Sequence, residues 1–289
     1  MDLIPESSKK WNAHGPSYRC SYIGYDGCSS LVPNATMAEE ASCGVSSPCE
    51  VESGQYYVAL PDSPADDEPI GAIIYLHGWK GKADQTIQNQ ALRSLASDLG
   101  VALIAPQGLG GSWSYPGSPS QDRDEFQFFD ELLDDVSERF PIDRDKIMLS
   151  GFSMGGSMVW NLACYKGENY AGFAPIAGAF WDPVPVSCPS PLTNLYHTHG
   201  IEDKTVPMVG RAIGANWRQS DVFDSLDVWK RQAGLYDLTP TSITAGDLQC
   251  DVWSAHGEKL ELCLHDGGHT MKANWIRRAW LDLANTKHW

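Results

Sequence analysis

The sequence predicts an α/β fold with a mostly parallel sheet and helices on both faces, and three observations carry that prediction. Residues 71–76 form a continuously apolar run, the pattern of a strand covered on both faces rather than one. Such runs alternate with stretches whose apolar residues recur at helical spacing, which is the rhythm of strands joined by crossover helices. Residues 146–160 compress the rhythm into one unit. Ile147, Met148 and Leu149 lead into Gly151-Phe152-Ser153-Met154-Gly155, and an apolar segment of helical spacing follows.

Residues 1–54 are rich in Ser, Gly, Pro and Cys, show no sustained period, and read as an irregular, cysteine-stapled extension packed on one main domain at 55–289. Tyr56, Val58 and Leu60 alternate as the first strand, and an acidic, proline-rich turn over 61–69 separates it from the run at 71–76. That run ends in His77-Gly78-Trp79-Lys80-Gly81. Ile87, Ala91, Leu92, Leu95 and Leu99 fall on one helical stripe closed by Gly100, and a strand at 101–105 follows. A glycine-rich loop at 107–121 carries Trp113 and Tyr115. Phe126, Phe129, Leu132, Leu133, Val136 and Phe140 mark the second amphipathic helix, stopped by Pro141. After the Ser153 unit come strands near 173–177 and at 192–198, a helix at 221–234, strands at 249–253 and 259–264, and a closing helix carrying Trp275, Ile276, Ala279, Trp280 and Leu283. A chain of 289 residues without an internal repeat fits one large domain.

Composition narrows the partners. A net charge of -16 repels phosphate, which argues against nucleic acid or an anionic membrane surface. No apolar run has the length to span a bilayer. Eight cysteines without a CxxC pair point to disulfides and an oxidising compartment. Cys43 with Cys49, and Cys250 with Cys263, lie near enough in sequence to pair, although spacing does not fix connectivity. Asn34-Ala35-Thr36 is a glycosylation sequon. Residues 1–6 show no basic region followed by an apolar core, so the expectation is a secreted or periplasmic protein whose leader has been removed. A monomer acting on a small or oligomeric substrate fits these bounds.

The chemistry starts at Ser153. Flanking glycines permit a sharp turn that holds the hydroxyl at the carboxyl end of a strand, and the next helix points free N–H groups and its positive end at the same place. A serine hydroxyl needs a base, and His269, in the flexible Asp266-Gly267-Gly268-His269 loop after the last strand, is placed to serve. His265 ends a strand and reads as structural. Asp203, just past the strand at 192–198, is placed to fix the imidazole tautomer, with Glu202 as its neighbouring competitor. His197 and His199 share one strand face and invite a metal reading, but no third ligand of suitable spacing accompanies them, so neither metal nor organic cofactor is expected. The order serine, aspartate, histidine is that of α/β-hydrolases. The Met154 N–H and the Trp79 N–H are the candidate donors to an oxyanion, with His77 bracing the Trp79 loop. Eleven tryptophans exceed what a core needs. Trp113, Trp181 and Trp217, with Arg211, are the candidate substrate contacts, suited to a flat acyl group or a sugar.

His77-Gly78-Trp79, the residues 151–156, His199-Gly-Ile-Glu-Asp203 followed by Val206-Pro207, and Gly267-Gly268-His269 together resemble the secreted α/β-hydrolase esterases that include polyhydroxybutyrate depolymerases and feruloyl esterases. The resemblance runs from about residue 43 to the C-terminus and implies a Ser153, Asp203, His269 triad acting on esters. Trp79 stands where many depolymerases carry cysteine, and Met271-Lys272 where Trp-Pro is common. With no threonine-rich linker in the sequence, soluble aryl or hydroxyacyl esters are expected ahead of crystalline polymer. Hydroxybutyrate depolymerisation is the alternative, and a catalytically silent carbohydrate-binding protein is the alternative of another class.

Overall fold

The computed structural model describes residues 43–62, 68–255 and 257–289. Cys20, Cys28, the sequon at Asn34 and most of the expected extension lie outside them. The sheet opens with β1 (Cys49–Val51) paired antiparallel to β2 (Gly54–Ala59), so the last part of the segment expected to be irregular contributes a short edge strand. Cys43 is joined to Cys49 at this edge. β3 (Ile70–Leu76) is buried at every position, as its unbroken apolar sequence requires.

The single stripe expected at 87–99 is two helices, α1 (Ala83–Ile87) and α2 (Gln90–Leu99). Asn89 makes the break by accepting a hydrogen bond from the Leu92 amide at 3.1 Å, an N-cap that restarts the helix and turns Ala91 to solvent. Gly100 closes α2 in the left-handed conformation, as predicted. Next come β4 (Ala102–Pro106), α3 (Glu125–Arg139) capped by Asp124, the long β5 (Ile142–Phe152) and α4 (Met154–Tyr165). β6 (Gly172–Ile176) and β7 (Asn194–Gly200) follow. A small hairpin, β8 (Arg211–Ile213) and β9 (Trp217–Gln219), precedes α5 (Val222–Gln232). The chain closes with β10 (Thr241–Ala245), β11 (Leu248–Ala255), β12 (Glu258–His265) and α6 (Ala273–Lys287).

The ten-stranded sheet runs β1-β2-β4-β3-β5-β6-β7-β12-β11-β10. The six strands from β4 to β12 are parallel, and antiparallel pairs finish both margins. Alternate residues of the central strands feed two cores. Ile74, Leu76 and Leu149 pack with α3, α4 and α5, while Ile73, Tyr75 and Met148 pack with α1, α2 and α6. Covering both faces in this way leaves the strand ends as the place where reactive groups gather. Cys250 and Cys263 sit opposite one another on β11 and β12 and are joined across the pair. A third disulfide, Cys164 to Cys188, ties the end of α4 to the loop before β7.

Candidate active site

Leu76 at the end of β3 pairs with Gly151 near the end of β5, so the loop after β3 and the turn after β5 leave the sheet side by side. Ser153 occupies that turn at φ 58°, ψ -119°, a strained conformation for a residue with a side chain. Its amide donates to the Ile176 carbonyl at 2.9 Å, and its carbonyl accepts from Ser157 at 2.9 Å, locking the turn between β6 and the first turn of α4. The side chain does not cap the helix, so the hydroxyl is not consumed by the reading that would make this serine merely structural. The surrounding glycines are required by close approach. A Cβ on Gly155 would meet the Leu76 and His77 carbonyl oxygens, the latter at 2.6 Å, and one on Gly151 would meet the Gly155 carbonyl oxygen at 2.7 Å.

Gly78 lies against the Ser153 side chain, which brings the Trp79 loop beside the candidate nucleophile. In that loop Lys80 donates to Gly111 at 2.7 Å and Gly81 to Gly78 at 2.9 Å, whereas the Trp79 amide has no backbone acceptor among the described residues. The Met154 amide opens α4 and belongs to the set that a helix leaves unpaired at its start. Two donors thus flank the serine from neighbouring strands, an arrangement suited to an oxyanion. His77 is buried, with Nδ1 at 2.8 Å from the Gly78 carbonyl, while Nε2 accepts from the Gly108 amide at 3.0 Å. Burial lowers its pKa, and the neutral ring braces the loop from behind as the sequence suggested.

The candidate base and its carboxylate partner come from the next pair of parallel neighbours. Gly200 ends β7 beside His265, which ends β12, and the two exit loops are laced together by Ile201 donating to His265 and Glu202 donating to Gly267. His269 Nδ1 donates to Asp203 Oδ2 at 2.7 Å. The other Asp203 oxygen accepts from the Thr205 and Val206 amides at 2.8 Å each. Burial alone would raise the Asp203 pKa, but the His269 hydrogen bond, the Val206 and Thr205 amides and the nearby imidazole outweigh it and hold the carboxyl below its ordinary value. Glu202, its sequence neighbour, is exposed. His265 is buried and stacks on Trp275, its Nδ1 accepting from Gly267. The His269 ring lies 4.5 Å from the Phe152 ring, immediately before Ser153. Ser153 Oγ and His269 share no hydrogen bond among the described residues; such bonds are commonly long in unliganded sites and shorten when substrate arrives.

A cavity of about 400 Å³ opens over Ser153 and Met154. Trp79, Trp181, Trp217, Val206 and Ile213 supply apolar wall, and Arg211 is its formal charge. Trp181 is nearly buried, while Trp217 and Trp79 keep 39% and 67% of their surface exposed, enough to rearrange around a ligand. Arg211 Nε donates to the Gln219 side chain at 3.1 Å across the hairpin. Trp113 corrects the expectation. It is wholly buried, packs at a tilt against the His77 ring and donates from its indole nitrogen to the His77 carbonyl at 2.8 Å, so it supports the loop and does not line the cavity. Its loop folds inward because buried Glu125 accepts from the Ser114 amide while paired with Arg123. Sequence reasoning did not single out Ile213 or Gln219 of the hairpin. Gly210 and Gly214, both at positive φ, are the signal that was present for it.

Metal-type side chains cluster at Cys250, Glu261 and Cys263, where the two cysteines are joined to one another and are not thiolate ligands. His197 and His199 hydrogen-bond to each other and do not converge on an open position.

The Esterase family model matches residues 52–228, more than half of the chain. Feruloyl esterase D of Neurospora crassa is 27% identical over 172 residues, covering 52% of this chain and 58% of that protein, so the chain spans less than two thirds of that relative. A probable feruloyl esterase C of Aspergillus niger is 25% identical over 234 residues, 76% of this chain and 77% of its own. Among solved structures, an acetyl xylan esterase from Aspergillus awamori superposes with a TM-score of 0.56 at 13% identity, over 80% of this chain and 94% of that one, and its likeness is one of fold. The fold is that of the α/β-hydrolases.

Proposed function

Because this chain belongs to the esterase family, we propose that it is a serine carboxylic ester hydrolase working through an acyl-enzyme. The observation that carries the proposal is the 2.7 Å bond between His269 and buried Asp203, formed beside the strained turn that presents Ser153. In this reading Ser153 Oγ attacks the ester carbonyl while His269 takes its proton. Asp203, bound at Nδ1, directs the Nε2 lone pair to the serine and stabilises the imidazolium that forms. The Met154 and Trp79 amides receive the oxyanion. The intermediate collapses as His269 returns the proton to the departing alcohol. Water, activated by the same imidazole, then releases the acid.

The aromatic cavity supports a flat, apolar acyl group such as a phenolic acid over a hydroxybutyrate oligomer, with Arg211 facing a polar substituent on it. The relatives named as feruloyl esterases support the same class. Three disulfides support an oxidising, extracytoplasmic setting, and no described helix is long and apolar enough to cross a membrane. Every group of the site comes from one chain, which supports a monomer as the working unit.

The test combines a fluorophosphonate probe with a rate panel of p-nitrophenyl esters, methyl ferulate and hydroxybutyrate trimers. Covalent labelling at Ser153, lost in Ser153→Ala, and faster turnover of the aryl ester are the expected results. An intact protein that is neither labelled nor active would instead be a silent binder on this fold, and a trimer preferred by two orders of magnitude would move the substrate class to hydroxyalkanoates.

A further inference from the structure

β7 carries two histidines, His197 and His199, on one face, neither with any exposed surface. The mechanism above uses neither. They form a line: His197 Nε2 lies 3.0 Å from His199 Nδ1, and His199 Nε2 lies 2.8 Å from the Val206 carbonyl oxygen. A carbonyl only accepts, so the hydrogen of that last bond sits on His199 Nε2. A neutral imidazole has a single N–H, so His199 Nδ1 must accept, and His197 Nε2 must donate to it. With both rings neutral, the line runs from His197 through His199 to Val206, which leaves the buried His197 Nδ1 without a hydrogen-bond partner among the described residues.

The far end of the line matters because of what Val206 does with its other backbone group. The Val206 amide and the Thr205 amide hold Asp203 Oδ1, leaving Oδ2 for His269. His199 Nε2 also lies 3.7 Å from Asp203 Oδ2, beneath the carboxylate and outside hydrogen-bond range. We infer that the buried His197–His199 pair is a positioning device for the site, clamping the 203–206 turn through the Val206 carbonyl so that Asp203 presents one fixed oxygen to His269. Both rings stay uncharged in this role, since burial first of all, and for His197 the neighbouring imidazole next, lowers their pKa values. A second cation beneath Asp203 would compete with His269 for the carboxylate, and a dry, neutral donor does not.

This inference rests on reading Asp203 as the triad carboxylate, and the experiment separates the two. His199→Leu removes the donor at similar bulk. His199→Gln restores a donor toward Val206 and an acceptor toward His197 at matching reach from the main chain. Rates are divided by the fraction of sites titrated with a fluorophosphonate, so that unfolded protein does not count. His199→Leu is expected to lose about 10- to 100-fold in kcat per titrated site, the scale of a small misplacement of a reacting group. The acid limb of its kcat/KM profile should move to lower pH, because a loosened carboxylate stabilises the imidazolium less. His199→Gln should recover most of both. If His199→Leu fails to fold, His197→Leu, one bond further from the turn, should show the same two effects in weaker form. Unchanged kcat per site and an unchanged acid limb in whichever leucine variant folds would overturn the inference, while Asp203→Asn still inactivates. Full activity in Asp203→Asn would instead overturn the triad reading itself.

Discussion

Ser153 shows how one residue's strain is sustained. A non-glycine residue at φ 58° costs on the order of 1–3 kcal/mol and persists only where its surroundings over-determine it. Here the surroundings are backbone: Ile176 and Ser157 hold the turn, and Gly155 lets the end of β3 touch the start of α4. Gly155→Ala would drive a methyl group into the Leu76 and His77 carbonyls, displacing the Trp79 loop from Ser153. The expected cost is about 1–3 kcal/mol of stability by thermal unfolding, with a loss of about a hundredfold in kcat/KM as one oxyanion donor moves away. Asp203 gives a pH consequence. Its depressed pKa means that its ion-paired form adds stability above the ordinary carboxylate range, and that this contribution is lost as pH falls through the lower, folded value. Asp203 is therefore still ionised where imidazoles titrate, so the rise in activity through about pH 6 to 8 should fit a single ionisation, and a second one in that window would contradict this assignment. The positions of Ser153, Asp203 and His269 at three strand ends were legible in the sequence because each follows a recognisable strand with glycines to turn on. Trp113 was not, since its burial depends on Glu125 and Arg123 folding a loop inward, a tertiary choice that loop composition does not encode.

Among the elements, the parallel strands and main helices announced themselves through long apolar runs or stripes. The β8–β9 hairpin did not, because each strand is three residues long and mostly exposed, and alternation over three positions carries no signal. The break between α1 and α2 was hidden for the opposite reason: the stripe continues through it, and only the Asn89 cap interrupts the backbone. The missed hairpin is where substrate choice should reside. It is pinned to the wall opposite by Asp182, whose amide donates to the Arg218 carbonyl and whose carboxylate meets the Arg218 guanidinium at 3.3 Å. Arg211→Met keeps the aliphatic stem and removes the charge. It should raise KM for methyl ferulate about tenfold, the scale of one hydrogen bond to a charged group, while leaving p-nitrophenyl acetate, too short to reach it, within about twofold. Equal effects on both esters would place Arg211 outside the acyl site.

At the scale of the molecule, the Cys164–Cys188 bridge fastens the far end of the helix that begins at Ser153. Closing a loop with a sequence separation of 24 constrains the unfolded chain by about 3 kcal/mol, so replacing both cysteines with alanine should lower the melting temperature by on the order of 10 °C. Activity at 25 °C should survive, and its loss would show that the bridge shapes the site as well as the unfolded state. The sheet order has a further consequence. In the proposed mechanism β3 and β5 carry the oxyanion donors and the nucleophile, β7 and β12 carry the carboxylate and the imidazole, and β6 alone lies between them. The machinery is thus mounted as two rigid half-tools on one hinge plate. Sequence drift inside either half disturbs two parts together, so compensating changes belong within a half, and the tolerance of the whole is set by how stiffly a single intervening strand keeps the halves facing each other.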